Sequence, residues 1–237
     1  RQRQMCIRDR HIGTLTLSNY FNANNRNIIS SQNVQLLPGK SYTITLKFEL
    51  GIQLAASNIN LTQNGCTTND KNDLAKLRWA TGNLKSTGST NYIWAPSQTE
   101  IGYYYAFNKL YNGSTGDPCS KLNTAYYGTG WRTPSKNELE KLSRCTDKVF
   151  TNNGMWFMNK SLGVFLKAGG VRQESGSGTN GATYTDHGCY WTSTIGTSKN
   201  AYNMEFWNTE AHVNNTSSWF GLQTNGLLIR CVKGTKQ

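Results

Sequence analysis

Charge is sparse in this chain. Only 16% of its 237 residues are Asp, Glu, Lys or Arg, and acidic residues are outnumbered 13 to 25. A helical bundle or coiled coil needs long stretches of charged surface positions, so neither is expected. Long apolar runs are missing as well. Stretches such as Gly163 to Leu166 and Leu227 to Ile229 are strand-sized, well short of a bilayer span, and no transmembrane segment is expected. No three basic residues are consecutive, so the formal charge of +12 reads as a solvated basic surface and no nucleic-acid partner is assigned. No C-x-x-C occurs, which removes zinc ribbons and thioredoxin-like redox motifs.

What is plentiful is Gly, Asn, Ser and Thr, with 11% aromatics. That mixture suits short strands joined by many turns around a core filled by wide rings. The first ten residues, RQRQMCIRDR, stand apart: four Arg and one Asp in a texture found nowhere else. They are similar to a translated sequencing adapter, and residues 1–10 are read as non-native. Without their +3 the charge falls to +9. Setting Cys6 aside leaves five cysteines spread along a Gly/Asn/Thr-rich chain. This pattern reads as one or two disulfides in an exported protein. One cysteine is left over, expected to be Cys66 in its polar surroundings.

The clearest strand is PGKSYTITLKFEL (38–50), where Tyr42, Ile44, Leu46, Phe48 and Leu50 alternate with polar residues. A weaker one is GTLTLSNYF upstream. Residues 11–62 therefore read as the closing strands of a partial β-sandwich. TQNGCTTNDKND (62–73) is polar and contains Asn-Gly, and residues 63–73 read as a linker. All seven tryptophans lie at Trp79 or later, so a second domain is placed at 74–237. Its one well-signalled helix is WRTPSKNELEKLSRC, with Thr133 as N-cap, Pro134 at the first helical position, an apolar stripe at Leu139 and Leu142, and Glu138 paired with Lys141 on the exposed side. GMWFM, GVFLKAGG, CYWTST, AYNMEFW and GLLIRCV read as short strands. Residues 172–188 form a long Gly/Ser/Thr loop.

Six pieces in order, LRWATGNL (77–84), DPCS (117–120), GWRTPSKNELEKL (130–142), YWTST (190–194), AYNMEF and LLIRCV (227–232), resemble the Fibrobacter succinogenes major paralogous domain. That family's pattern runs W-A-x-G-N-L, D-P-C, G-W-R-x-P-T-x-x-E-x-x-x-L, Y-W-S-S-T and a closing V-R-C-V. The resemblance covers about residues 74–233. It implies an α+β, C-type-lectin-like fold with one main helix, short antiparallel strands and a terminal strand that closes the domain. LLPGKSYTITLKFEL is similar to the last strands of fimbrillin-like sandwiches. Together they resemble surface proteins of Bacteroides-type bacteria: an exported cell-surface, outer-membrane-associated or fimbrial-tip adhesin with a lectin-like head, bound to a glycan, to a host or bacterial surface protein, or to other fimbrial subunits. A structural fimbrial subunit without its own ligand is the alternative. Cys119 and Cys231 stand at the family's two recurrent cysteine positions, so the resemblance implies that they pair, leaving Cys145 with Cys189.

The chemistry centres on TDHGCYWTST (185–194), where Asp186, His187 and Cys189 crowd together. A thiol nucleophile needs a lowered pKa, a base from elsewhere in the fold and an oxyanion site. Nothing in the sequence supplies the last two, so Cys189 reads as structural and no catalytic residue is assigned. The same broad fold includes formylglycine-generating enzymes, but their closely spaced cysteine pair is absent, which leaves that enzymatic alternative weak. No cofactor is assigned. Calcium in sugar-binding C-type lectins is typically held by Glu-Pro-Asn or Gln-Pro-Asp. This chain has no proline after Pro134, so that loop motif is absent; Asn208 and Glu210 in WNTE offer few oxygens, the segment reads as a solvated turn, and no metal ligand is assigned, with calcium kept as an alternative that lacks its usual motif. Metal-free stacking of sugars on aromatic faces remains, with Trp207, Asn208, Asn214, Asn215 and Trp219 as the ligand-binding candidates. His212 is given no role.

Overall fold

The run LLIRCV (227–232) shows no alternation of apolar and polar residues because both of its faces are buried. Leu227, Ile229 and Cys231 belong to one hydrophobic core, with Leu84, Tyr92, Tyr105 and Trp191. Leu228 and Val232 belong to another, with Trp79, Leu142, Phe157, Tyr190 and Phe206. The period of two is present, but both of its sides face a core.

The computed structural model describes residues 51–237, except 64, 152, 159–161, 174–176, 180, 209, 215–218 and 237; before residue 51 it describes the backbone of four short strands. The chain divides into two units, Arg1–Glu49 and Leu50–Gln237. In the first, β1 (Arg3–Ile7) pairs antiparallel with β4 (Tyr42–Leu46), and β2 (Thr14–Leu15) with β3 (Val34–Gln35). The alternating face expected over 42–50 and the side chain of Cys6 lie outside the described residues.

The second unit is mixed α+β. Its four-stranded sheet has the order β5 (Ile52–Gln53), β6 (Arg78–Trp79), β16 (Val232–Lys233), β9 (Trp131–Arg132), every neighbour antiparallel. The last strand thus sits between one strand from early in the unit and one from its middle. A hairpin of β7 (Leu84–Ser86) and β8 (Tyr92–Trp94) follows β6. Two three-stranded meanders complete the sheets: β10 (Lys148–Thr151), β11 (Gly154–Phe157), β12 (Val164–Lys167); and β13 (Gly188–Ile195), β14 (Ala201–Trp207), β15 (Glu210–Asn214).

Three helices are present among the described residues: α1 (Thr68–Ala75), α2 (Thr124–Tyr127) and α3 (Lys136–Cys145). The expected helix is α3, but it starts two residues later than Thr133 implied. Ser135 is the N-cap, in a reciprocal capping box with Glu138. Thr133 is unavailable because its N–H and hydroxyl both donate to Asp117, at 2.9 and 2.7 Å. Leu139, Leu142 and Cys145 form the buried stripe. Glu138 is not on the exposed side. It is buried and accepts two bonds from Arg132, one at 2.7 Å, while Lys141 reaches Asp73 at 2.7 Å.

The stretch expected as a sandwich remnant and linker also behaves differently. Residues 50–73 belong to the second unit, with Leu54, Ile59 and Cys66 in its core. Thr67 caps α1 through a capping box with Asp70, and Arg144 and Lys141 of α3 bond Asp70 and Asp73 at 2.8 and 2.7 Å. Cys66 is not the cysteine left over. It is joined to Cys145, and Cys119 to Cys231, which leaves Cys189 unpaired among the described residues. Cys145 and Cys189 cannot meet as expected because they lie in different cores, Cys145 with α1 and Cys189 with Trp191.

Candidate functional site

Cys189 is a poor nucleophile here. It is fully buried on β13, opposite Glu205 of β14. Burial, then the nearby carboxylates of Glu205 and Asp186, push its thiol well above the usual range. A reactive cysteine needs the reverse. No hydrogen bond joins His187 to the Cys189 thiol: its Nδ1 is buried without a hydrogen-bond partner, and its Nε2 lies 4.0 Å from Asp186. Mass-spectrometric mapping after iodoacetamide treatment should find Cys189 unmodified in native protein and alkylated once the chain is unfolded. Fast native alkylation would restore the nucleophile reading.

Metal binding fares no better. The cluster of potential metal donors among the described residues is Cys66, Asp70 and Cys145, and its two sulfurs are spent on a disulfide. Calcium takes six to eight oxygens. The turn after β14 offers Asn208 and Glu210, and Glu210 already faces His212 at 3.0 Å. These residues do not fit the ion.

The ordered motifs have a structural explanation. Arg230 is 1% exposed. Its guanidinium donates to Asn83 Oδ1 at 3.0 Å, to the Ala80 and Phe165 carbonyls at 3.0 and 2.9 Å, and to both oxygens of Gln98 at 3.3 and 3.4 Å. Asn83 Nδ2 donates to the Glu100 and Ile101 carbonyls and to the Tyr190 hydroxyl at 3.0 Å, which donates to the Lys167 carbonyl. One polar knot therefore joins ATGNL, YWTST and LIRCV. Beside it, Gly82 lets the chain at Ala95 approach closely, since a Cβ there would lie 2.0 Å from the Ala95 carbonyl oxygen. Asp117 of DPC caps the 3-10 turn Pro118–Lys121 and holds Thr133. A cavity of about 290 Å³ beside it is lined by Asp117, Thr133, Trp191 and Ser193 among others, and Asp117 is already committed to its neighbours.

The surface feature that calls for an explanation is aromatic. Trp207, at the end of β14, stacks on His187 with ring centroids 5.3 Å apart and planes at 14°. His212 of β15 lies 5.9 Å from Trp207 on the other side. His187 is 6.0 Å from Tyr184 and from Phe220. Tyr184 contacts Trp219 and Phe220 edge-on, at 5.9 and 5.5 Å. The result is a continuous strip built from the 184–187 loop, the β14–β15 hairpin and the 3-10 turn Trp219–Gly221. Tyr184 and Trp219 are 51% and 43% exposed, although large apolar rings are normally covered. Tyr184 is held there by a left-handed backbone, φ +54°, a costly conformation for a bulky residue. Behind it Gly170 makes room for the turn, since a Cβ would meet the Thr183 carbonyl oxygen at 2.0 Å.

Two of the candidates chosen from sequence, Trp207 and Trp219, thus lie on one strip, linked through rings that the sequence reading left out. Asn208 is exposed in the adjoining hairpin turn, at φ +50°. Asn214 is half-buried at the far end of β15, opposite Asn203. Asn215 lies outside the described residues. Tyr184 and His187 were not among the candidates because they come from a separate segment, while Phe220 and His212 adjoin the chosen residues and were passed over. The available signals were the three-residue spacing of Tyr184 and His187 and the adjacent Trp219-Phe220. No protein-family model, curated protein or solved structure matches the chain.

Proposed function

We propose that the chain is an exported, non-catalytic binding module of the adhesin kind, whose second unit is a lectin-like head that holds a glycan on the aromatic strip. Sugar rings present flat C–H faces that stack on aromatic faces, and hydroxyls bond amides and carboxylates at the rim. The observation that carries the reading is the exposure of Tyr184 in a strained backbone beside Trp219. Covering a strained, exposed ring with ligand gives that conformation a use. Rings already held by neighbours lose little freedom on binding.

Other features agree with the reading. Two disulfides among the described residues are consistent with an exported protein, and no described helix is long and apolar enough to cross a membrane. A terminal strand held between β6 and β9 is what a lectin-like domain would need to close. The ordered motifs support membership of the major paralogous family, and the alternating segment 38–50 supports a fimbrillin-like partner domain at a cell surface.

A glycan array with the parent protein and with Tyr184→Ala and Trp219→Ala tests this. The parent should show a defined set of sugars. Each variant should lose at least about tenfold in affinity, roughly 1.4 kcal/mol, as for an aromatic anchor. An array with no signal above background would point instead to a structural surface subunit.

A further inference from the structure

The strip is longer than one sugar ring. From Trp219 through Tyr184, His187 and Trp207 to His212, successive centroids are 5.9, 6.0, 5.3 and 5.9 Å apart. Its two ends are the open parts. Tyr184 is 51% exposed, as is the side chain of His212, while His187 between them shows only 24%. A single pyranose could cover one end and would leave the other bare. Beyond His212 an open groove of about 600 Å³ continues between α3 and β15, lined in part by Glu140, Arg144, Lys148 and Glu210. The surface therefore offers a path and not a spot.

Charge along this path is the opposite of what the whole chain suggests. Two carboxylates lie against the strip, Asp186 at 4.0 Å from His187 and Glu210 at 3.0 Å from His212. The groove's two cations are already engaged: Arg144 with Asp70 at 2.8 Å, Lys148 with the Ser143 carbonyl at 2.7 Å. Glu140 and Glu210 line the same groove. An acidic sugar would meet the carboxylates of Asp186 and Glu210 beside the rings, and in the groove cations that already donate to Asp70 and the Ser143 carbonyl.

Resting on the glycan reading, we infer that the strip takes an uncharged, linear oligosaccharide of several rings. The chain lies from Trp219 past Tyr184 to His212 and into the groove, and acidic glycans are poor ligands despite the protein's +12 charge.

Calorimetric titration at neutral pH with three neutral ladders tests this: β-1,4-linked glucose, N-acetylglucosamine and mannose, each from one unit to six, beside sialyllactose and a heparin hexasaccharide. For the best-bound ladder, affinity should rise at least about tenfold between the dimer and the pentamer and then level off. The two anionic probes should not compete. His212→Ala should flatten the rise and spare dimer binding, while Tyr184→Ala weakens every length; unchanged thermal unfolding shows that both variants fold. Equal binding of monomer and hexamer, or tightest binding of an anionic probe, overturns this inference and leaves the glycan reading standing. Failure of every ladder and both anionic probes overturns the two together.

Discussion

Arg230→Met is expected to lower the unfolding free energy of the second unit by about 3–5 kcal/mol, from the cost of breaking a buried charged hydrogen-bond network. Burial lowers the Arg230 pKa to about 10, so the guanidinium still carries its charge at neutral pH. Its acceptors are neutral: Asn83 Oδ1, the Gln98 side chain and the carbonyls of Ala80, Gln98 and Phe165. Two effects compete when methionine replaces it. The desolvation cost of the buried cation disappears, which favours the variant. Against this, several buried oxygens lose their donor, at roughly 1–3 kcal/mol each. The second effect wins because those oxygens belong to the backbone and to Asn83, and no substitution at position 230 removes them. Lysine is no substitute, since one ammonium cannot span acceptors arranged around a planar fork. Urea unfolding should show a lower midpoint at an unchanged slope. A loss below about 1 kcal/mol would mean that water replaces the guanidinium and that the motif arginine has another purpose.

The same knot shows what could be read from sequence and what could not. Asn83, Tyr190 and Arg230 were visible as members of ordered motifs, but motifs do not say whether they bind ligand or hold the fold; only their convergence on one buried site does. The apolar stripe and the short apolar runs placed α3 and β11 to β14. Such patterning failed at α1, which has one fully buried leucine, Leu74. That helix is kept by a capping box and by contacts to α3, and the first of these was legible as Thr67 and Asp70 three apart. The polarity over 68–73, part of what marked 63–73 as linker, belongs largely to the exposed side of that helix. Two of the six rings of the aromatic strip were legible from the sequence. Trp207 and Trp219 sit in one segment rich in ligand-type residues. Tyr184 and His187 reach them only through the return of the 184–187 loop against the β14–β15 hairpin, a contact that no local pattern encodes.

Cys119→Ala with Cys231→Ala is expected to cost about 4–5 kcal/mol, from the entropy an open chain regains when a loop this long is released. The two cysteines are 112 residues apart in sequence, and the bridge ties the 3-10 turn after Asp117 to the last segment of the chain. The folded ends would change little, because Asp117 still holds Cys119 N–H and Thr133 at 2.9 and 2.7 Å and Val232 stays paired between Trp79 and Arg132. The effect therefore acts on the unfolded chain. For a unit of this size it corresponds to a fall in Tm of about 10–20 °C. Removing Cys66 and Cys145, 79 apart, should cost nearly as much, since closure entropy depends only weakly on loop length. It would also free α1, whose remaining ties to α3 include the partly exposed Asp70–Arg144 and Asp73–Lys141 pairs, and exposed pairs contribute little. Losing both bridges approaches the whole stability of an ordinary domain, so reductant alone should unfold the second unit at physiological temperature. Calorimetry of the two double variants, and of the parent with and without dithiothreitol, measures each step. A fall below about 4 °C in the Cys119/Cys231 variant, or a Cys145–Cys189 link in non-reducing peptide maps, would overturn this account of how the unit is closed.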